Sequence, residues 1–176
     1  SFENSYIAGA VLKNAQISDS YMSGSDLSLT DMYGIKIEDS DLSEVSLTRA
    51  DMSESGLKNL NMSAADISGV ILCGAGLDNV IFSGSNLENA DLSYARLEDV
   101  RLDNVKLNGA DLKEAELFKP FLYETELSKI KNIDTITWKA GYMVGEESEG
   151  DYDNAEIIYK KLADIYDGFH RNDEAR

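Results

Sequence analysis

Every fifth residue from Phe2 to Leu127 is large and apolar, a run of 26 positions through Ile7, Leu12, Ile17, Met22, Leu27 and onward to Leu117 and Leu122 without a slip of phase. The next step, Asn132, breaks it. Hydrophobic residues make up 43% of the chain, so chance does not generate such a run. Neither an α-helix, with its period of about 3.6, nor a strand, with a period of 2, repeats an inward direction every five residues. The chain must therefore turn a corner in each repeat.

A second ordered class sits two residues before each central apolar residue. Of the 25 such positions from Ser5 to Thr125, only Ile35, Leu60 and Pro120 are not Ala, Ser, Thr or Val. The other three positions of each five are mainly Asp, Asn, Ser, Gly, Glu and Lys. Two positions point in and three point out. Coils that turn this way stack about 4.8 Å apart, as neighbouring β-strands do, and satisfy their backbone groups against one another. Small residues suit the corners, where a bulky side chain would push coils apart. Burying each central side chain contributes roughly 1.5–3 kcal/mol, against about 1–2 kcal/mol per residue of backbone ordering. One repeat cannot fold alone, and stacked repeats can.

The segment 90–117, ADLSYARLEDVRLDNVKLNGADLKEAEL, resembles the pentapeptide-repeat family, whose consensus is Ala, then Asp or Asn, then Leu, then two variable residues. The likeness extends from Phe2 to Leu127. It implies an all-β solenoid, a right-handed quadrilateral β-helix with four pentads per coil, hence about six coils and a rod of roughly 30 Å. Leu27, Leu47, Ile67, Leu87 and Leu107 then form one column of the core. Residues 20 apart share a face, which lines up Val11, Asp31, Asp51, Ile71, Asp91 and Asp111. Asp31, Asp51, Asp91 and Asp111 are the expected acidic interaction face. Ile71, Ile81 and Cys73 interrupt the polar pattern in mid-rod, as same-face packing or as a small sticky patch.

Two parts are expected, a β-helix over 1–130 and a tail over 131–176. Phe118-Lys119-Pro120-Phe121 puts Pro at a small inward site and aromatic residues at outward ones, so something is expected to cover the last coil. Residues 131–145, with Ile133, Ile136, Trp138, Tyr142 and Met143, read as irregular or partly stranded. Asp153 followed by Glu156 predicts a capping-box helix start, and Gly168 predicts its stop. Ala155, Ile158, Tyr159, Leu162, Ala163 and Tyr166 fall on one face. That face is expected to cap the open end of the solenoid, which would otherwise stack on other copies, with self-association or contact with another protein as the alternatives.

Chemistry has little foothold. One His and one Cys cannot build a soft-ligand zinc site or an internal disulfide. His170 lies in a polar terminus with no nucleophile placed beside it. No glycine loop of the phosphate-cradling kind is present; Gly24, Gly34, Gly69, Gly74, Gly84 and Gly109 occupy repeat corners. No cofactor, metal or catalysis is expected. A formal charge of −17 opposes nucleic acid phosphates and anionic lipid. No run of about 18 apolar residues could span a membrane, and Ser1-Phe2-Glu3-Asn4 is no basic signal segment, so a soluble cytoplasmic chain is expected. Residues 1–130 carry 22 acids and 10 bases. The expected role is a non-enzymatic scaffold for a protein partner, as monomer or homodimer. The family resemblance adds a specific alternative. Some pentapeptide-repeat proteins are similar to duplex DNA in width and charge, bind DNA gyrase or topoisomerase IV in its place, and confer fluoroquinolone resistance. Divalent-cation binding along the Asp column is a third reading.

Overall fold

The structure is a computed structural model that describes residues 1–139 and 144–173, with side chains through Gly168. Tyr142, Met143 and the His170 side chain lie outside the described residues. Within them, a period of five becomes a period of twenty. Ile17 stands opposite Ile37, Ile37 opposite Leu57, Leu57 opposite Leu77, and Leu77 opposite Leu97, always in parallel. The strands β1 (Gln16–Ser18), β2 (Lys36–Asp41), β3 (Gly56–Asn61), β4 (Gly76–Ile81), β5 (Arg96–Glu98), β6 (Glu116–Phe118) and β7 (Thr137–Trp138) form one sheet in chain order. Bridges Tyr6–Asp26, Val11–Asp31 and Tyr21–Asp41 repeat the step of twenty on the other three sides. The chain is thus a parallel β-solenoid of about six coils, four pentads to each.

One pentad shows how the turn is made. The Leu47 amide donates to Asp66 O in the next coil at 2.8 Å, while the Leu47 carbonyl accepts from Ala50 N at 3.0 Å and closes a tight turn. The third residue of that turn, Arg49, has φ 56°, in the left-handed region. The same position recurs as Asn4, Asn14, Asn59, Asn79, Asn89 and Asn104, and as Gly24, Gly34, Gly69, Gly74, Gly84 and Gly109, all at positive φ. A type II-like corner demands that conformation, which Gly and Asn adopt most cheaply. Leu29, at φ 59° and exposed, carries the steric cost of that conformation.

Inside, Leu27, Leu47, Ile67, Leu87 and Leu107 are buried in one contiguous cluster with their counterparts on the other sides. The N-terminal coil packs less tightly: Phe2 is exposed, and Ile7, Leu12 and Ile17 are half-buried. Hydroxyls at the small inward positions are spent on neighbouring backbone. Ser85 Oγ donates to Met62 O at 2.7 Å and accepts from Ala65 N at 3.1 Å, and Thr30 Oγ1 donates to Leu27 O at 2.7 Å. Ser55 breaks the rule; its buried hydroxyl has no partner among the described residues. In its column it lies between Ile35 and Ala75, both fully buried.

The final coil is one residue longer. Asp111 pairs with Lys131 at the usual step of 20, but Glu116 pairs with Thr137 at 21. The 3₁₀ turn Ile133–Thr135 absorbs the extra residue and buries Ile133 in place of the polar Asn132. Two helices follow, α1 (Gly145–Ser148) and α2 (Tyr152–Asp173). The α2 start departs from the sequence expectation. Asp151, not Asp153, is the cap; its carboxylate accepts from Asn154 N at 3.3 Å and from the Asn154 side chain at 2.7 Å. Gly168 does not stop the helix, which runs on to Asp173. Ala155, Ile158 and Leu162 are buried, with Tyr159, Ile165 and Tyr166 packed beside them. Ala163 is exposed, because one residue beyond Leu162 turns about 100° away from the stripe. The Tyr166 hydroxyl donates to Ile133 O at 3.1 Å and accepts from Trp138 Nε1 at 3.0 Å, which ties α2 to the last coil.

Two paired substitutions test this packing by chemical denaturation. Leu87→Asp buries a charge with no partner and should cost about 3–5 kcal/mol, whereas Glu88→Ala, one residue outward, should stay within about 1 kcal/mol of the parent. Ser55→Ala should stabilise by about 1 kcal/mol and Ser85→Ala should destabilise by a similar amount, since only Ser85 has hydrogen bonds to lose. Equal loss at Leu87 and Glu88 would refute the inward phase.

Candidate functional site

The column of the expected acidic face is real in register. Val11, Asp31, Asp51, Ile71, Asp91, Asp111 and Lys131 are successive parallel bridge partners. At a coil spacing of about 4.8 Å, Asp31 and Asp51 form one adjacent pair, Asp91 and Asp111 another, and Ile71 separates them. Each carboxylate also serves its own turn. Oδ1 of Asp51 accepts from Ser53 N at 3.0 Å and Ser53 Oγ at 2.6 Å, and Oδ1 of Asp91 accepts from Ser93 N at 3.0 Å and Ser93 Oγ at 2.5 Å. Asp111 accepts from Lys113 N at 2.9 Å and Asn132 Nδ2 at 2.7 Å. Asp31 is paired with Lys13 Nζ at 2.9 Å, and that carboxylate raises the Lys13 pKa above the ordinary lysine value.

This local bond explains why Asp or Asn recurs before the central residue on other faces. Asp26 accepts from Ser28 N, Asp41 from Ser43 N, Asn61 from Ser63 N, Asp66 from Ser68 N, and Asn86 from Glu88 N. These are Asx turns that stiffen the corner. The Ser28 hydroxyl and then the Ser28 amide lower the Asp26 pKa, so the interaction favours the ionised carboxylate. The sequence signal was present as Asp-x-Ser at 26–28, 41–43, 51–53, 66–68 and 91–93.

The acids do not gather in a cleft. The face opposite the Asp column carries Asp41, Glu44, Asp103 and Glu124, and the β1–β6 face carries Glu38, Asp78, Glu98 and Glu116 among Lys36, Lys58 and Arg96. The grooves between coils are open to solvent; one on the β2–β5 side is floored by Gly56 and Gly76. Among the described residues no group of three His, Cys, Asp or Glu side chains is placed to hold a metal ion, and no helix is long and apolar enough to cross a membrane.

One carboxylate is different. Glu146, on α1, is 4% exposed, and its Oε1 accepts from Leu122 N at 2.7 Å and Tyr123 N at 2.8 Å. In earlier coils the equivalent amide donates to a carbonyl of the next coil, as Leu102 N does to Phe121 O at 2.8 Å. Glu146 therefore supplies the acceptor that a further coil would have supplied. Its turn sits against Phe121: Gly145 N donates to Pro120 O at 2.8 Å, and a Cβ at Gly145 would stand 2.5 Å from the Phe121 ring. The aromatic Phe121, at an outward site, is thus covered by α1, and the Arg101 guanidinium lies 4.1 Å above its ring. No spacing in the sequence marked Glu146, because its partners lie 23 and 24 residues away.

A parallel solenoid of four-pentad coils with left-handed corners and an Asp/Asn-x-Ser turn defines a narrow class. The pentapeptide-repeat profile matches residues 40–77, 81–117 and 95–130, with 8 copies, and the chain belongs to the pentapeptide-repeat family. No curated protein matches it by sequence. Among solved structures, a trypsin-treated variant of QnrB1, a plasmid-mediated fluoroquinolone resistance protein, is 16% identical with a TM-score of 0.56, covering 71% of this chain and 73% of its own. A pentapeptide repeat protein from the Arabidopsis thaliana thylakoid lumen is 27% identical with a TM-score of 0.42, covering 49% of this chain and 64% of its own. Rfr23 from the cyanobacterium Cyanothece 51142 is 18% identical with a TM-score of 0.42, covering 76% of this chain and 91% of its own.

Burial raises the Glu146 pKa, against the lowering effect of the amides it caps. A carboxyl whose pKa is raised on folding contributes most while protonated and loses that contribution as pH climbs through its raised value. Glu146→Gln keeps the acceptor and should flatten this fall, leaving thermal stability at pH 7 equal to or above the parent. Glu146→Ala strands the buried Leu122 amide and removes the acceptor of the part-buried Tyr123 amide, and should lose about 1–3 kcal/mol. A Gln variant as unstable as the Ala variant would show that charge, not the acceptor, holds the cap.

Proposed function

We propose that this chain is a non-enzymatic, cytoplasmic interaction scaffold, with a β-helical part over 1–130 and a capping tail over 131–176, acting as monomer or homodimer on a protein partner with a basic surface. The observation that carries this reading is the distribution of charge. Carboxylates lie on all four sides of the rod, and the outward Asp residues sit on a hydrogen-bonded grid rather than in a pocket. Such a surface attracts a basic partner at long range and leaves a substrate nowhere to be enclosed.

A topoisomerase-binding DNA mimic is the specific alternative. It is favoured by the excess of 22 acids over 10 bases in residues 1–130. QnrB1, a fluoroquinolone resistance protein, shares the fold. In this version the Asp column stands in for a line of phosphates facing Lys and Arg of DNA gyrase or topoisomerase IV.

The test removes charge without disturbing the turns. Asp31→Asn, Asp51→Asn, Asp91→Asn and Asp111→Asn together keep each Oδ1 acceptor and delete four charges. Glu38→Gln, Asp78→Asn, Glu98→Gln and Glu116→Gln form the matched control on another side. If the Asp face carries binding, gyrase binding and supercoiling inhibition at low salt should fall with the first set alone. Equal loss with both sets would mean diffuse attraction, and no effect of the unmodified protein on gyrase would remove the mimic and leave the scaffold.

A further inference from the structure

The C-terminal edge of the ladder is finished by Glu146, and the N-terminal edge is not. In the regular coils the outward residue before each central one turns both backbone groups toward the preceding coil. Asp31 N donates to Ala10 O at 2.9 Å and Asp31 O accepts from Leu12 N at 2.7 Å; Asp26 does the same with Ser5 and Ile7, both at 2.9 Å, and Lys36 N donates back to Ala15 O. Val11, Tyr6 and Gln16 hold these positions in the first coil, with no earlier coil among the described residues to receive them. The side chains change there as well. Tyr6 stands where later coils have Asp26, Ser46 and Asp66, and Val11 where they have Asp31 and Asp51. These two are 78% and 70% exposed, and Phe2 and Tyr21 are exposed on the same coil edge. Behind that rim the core is open, with Ile7, Leu12 and Ile17 only half-buried.

We infer that this edge pairs with the same edge of a second copy of the chain, end to end, about a two-fold axis at Val11. The inference goes beyond the basic-partner reading: it chooses homodimer over monomer and names the end that joins. A residue that offers both its N–H and its C=O to one side is half of a hydrogen-bonded antiparallel pair. A two-fold axis at Val11 sets that residue against itself, and the same rotation sets Tyr6 against Gln16 of the second copy, so one axis engages all three. Rotation preserves the hand of a coil, so the two rims rise together and the gap between them stays constant around the rod. Inward positions then meet inward positions, large over small: Leu12 over Ala10, Ile7 over Ala15 and Ile17 over Ser5. Lys13 falls over Gly9. Charge favours this end over the other, since residues 1–20 hold only Glu3, Lys13 and Asp19 as charged side chains, whereas residues 141–176 hold 10 acids and 4 bases. An open edge that is apolar and carries little charge is the kind that strands extend across.

Sedimentation velocity on the 176-residue chain should show a species of twice its 19.4 kDa mass. Raising salt from about 50 to about 500 mM should strengthen that species, because it screens the repulsion between two acidic rods. Binding of a basic partner has the opposite salt dependence, so failure of this pairing and failure of that reading are separable. Val11→Asp gives the first coil the residue its column already uses at Asp31 and Asp51, so the fold should survive, as circular dichroism melts would show. Two carboxylates then face each other across the axis, and dimer affinity should fall at least about tenfold. Val11→Lys should do the same alone, and a one-to-one mixture of the two variants should recover the dimer. Ile71→Asp, in the same column at mid-rod, and Ile157→Asp, at an exposed site on α2, should leave dimerisation unchanged. A parent that stays monomeric at about 0.5 mM, a dimer indifferent to Val11→Asp, a mixture that fails to recover, or a dimer lost with Ile157→Asp would each overturn the inference.

Discussion

The hydrogen-bond ladder between coils is the constraint on which everything else here depends. Each central amide donates to a carbonyl 19 residues ahead, as Leu47 does to Asp66 and Leu87 to Lys106. Because that step never varies through the regular coils, a residue's surroundings above and below are fixed by its equivalents 20 residues away. Apolar side chains must follow one another down the inside, and the corner residue must accept a left-handed conformation each time. The cost of Leu29, Glu44, Arg49 or Tyr94 at positive φ is tolerated because the neighbouring coils leave the corner no alternative path.

A ladder of this kind has no natural end, and its two ends are treated differently. At the C-terminal side the extra residue near Asn132, the turn at Ile133 and the buried Glu146 together convert a repeating edge into a finished surface. The carboxylate is an economical terminator, since one oxygen receives two amides, the buried one of Leu122 and the part-buried one of Tyr123. Its burial has a cost, visible in the raised pKa and in an Oε2 without a partner among the described residues.

The repeating part was legible because its signal is summed over many coils. A single pentad proves little, but phase held from Phe2 to Leu127 leaves one family of solutions. Where the signal occurs once, sequence reasoning faltered. Asp153 with Glu156 made a plausible capping box, yet Asp151 makes the bonds, because the approach of the chain from α1 decides which residue faces the free amides. Gly168 looks like a stop, and the helix runs past it to Asp173. Glu146 carried no signal at all. Counting puts the Asp column in register, and its bonds to Ser53 and Ser93, which only the turn geometry reveals, give each Asp a local role beside its charge.

Four turns per coil and a strict step of twenty make residue number a cylindrical coordinate: the remainder on division by twenty gives the compass bearing, and the quotient gives the height. Duplicating twenty residues lengthens the rod and leaves every stripe continuous. Inserting or losing five swings all that follows through a quarter turn, carrying Asp91 and Asp111 away from Asp31 and Asp51 onto a different side while every Leu remains inside. Such a chain can redraw its outer surface by a change in count alone, with its interior indifferent to the result.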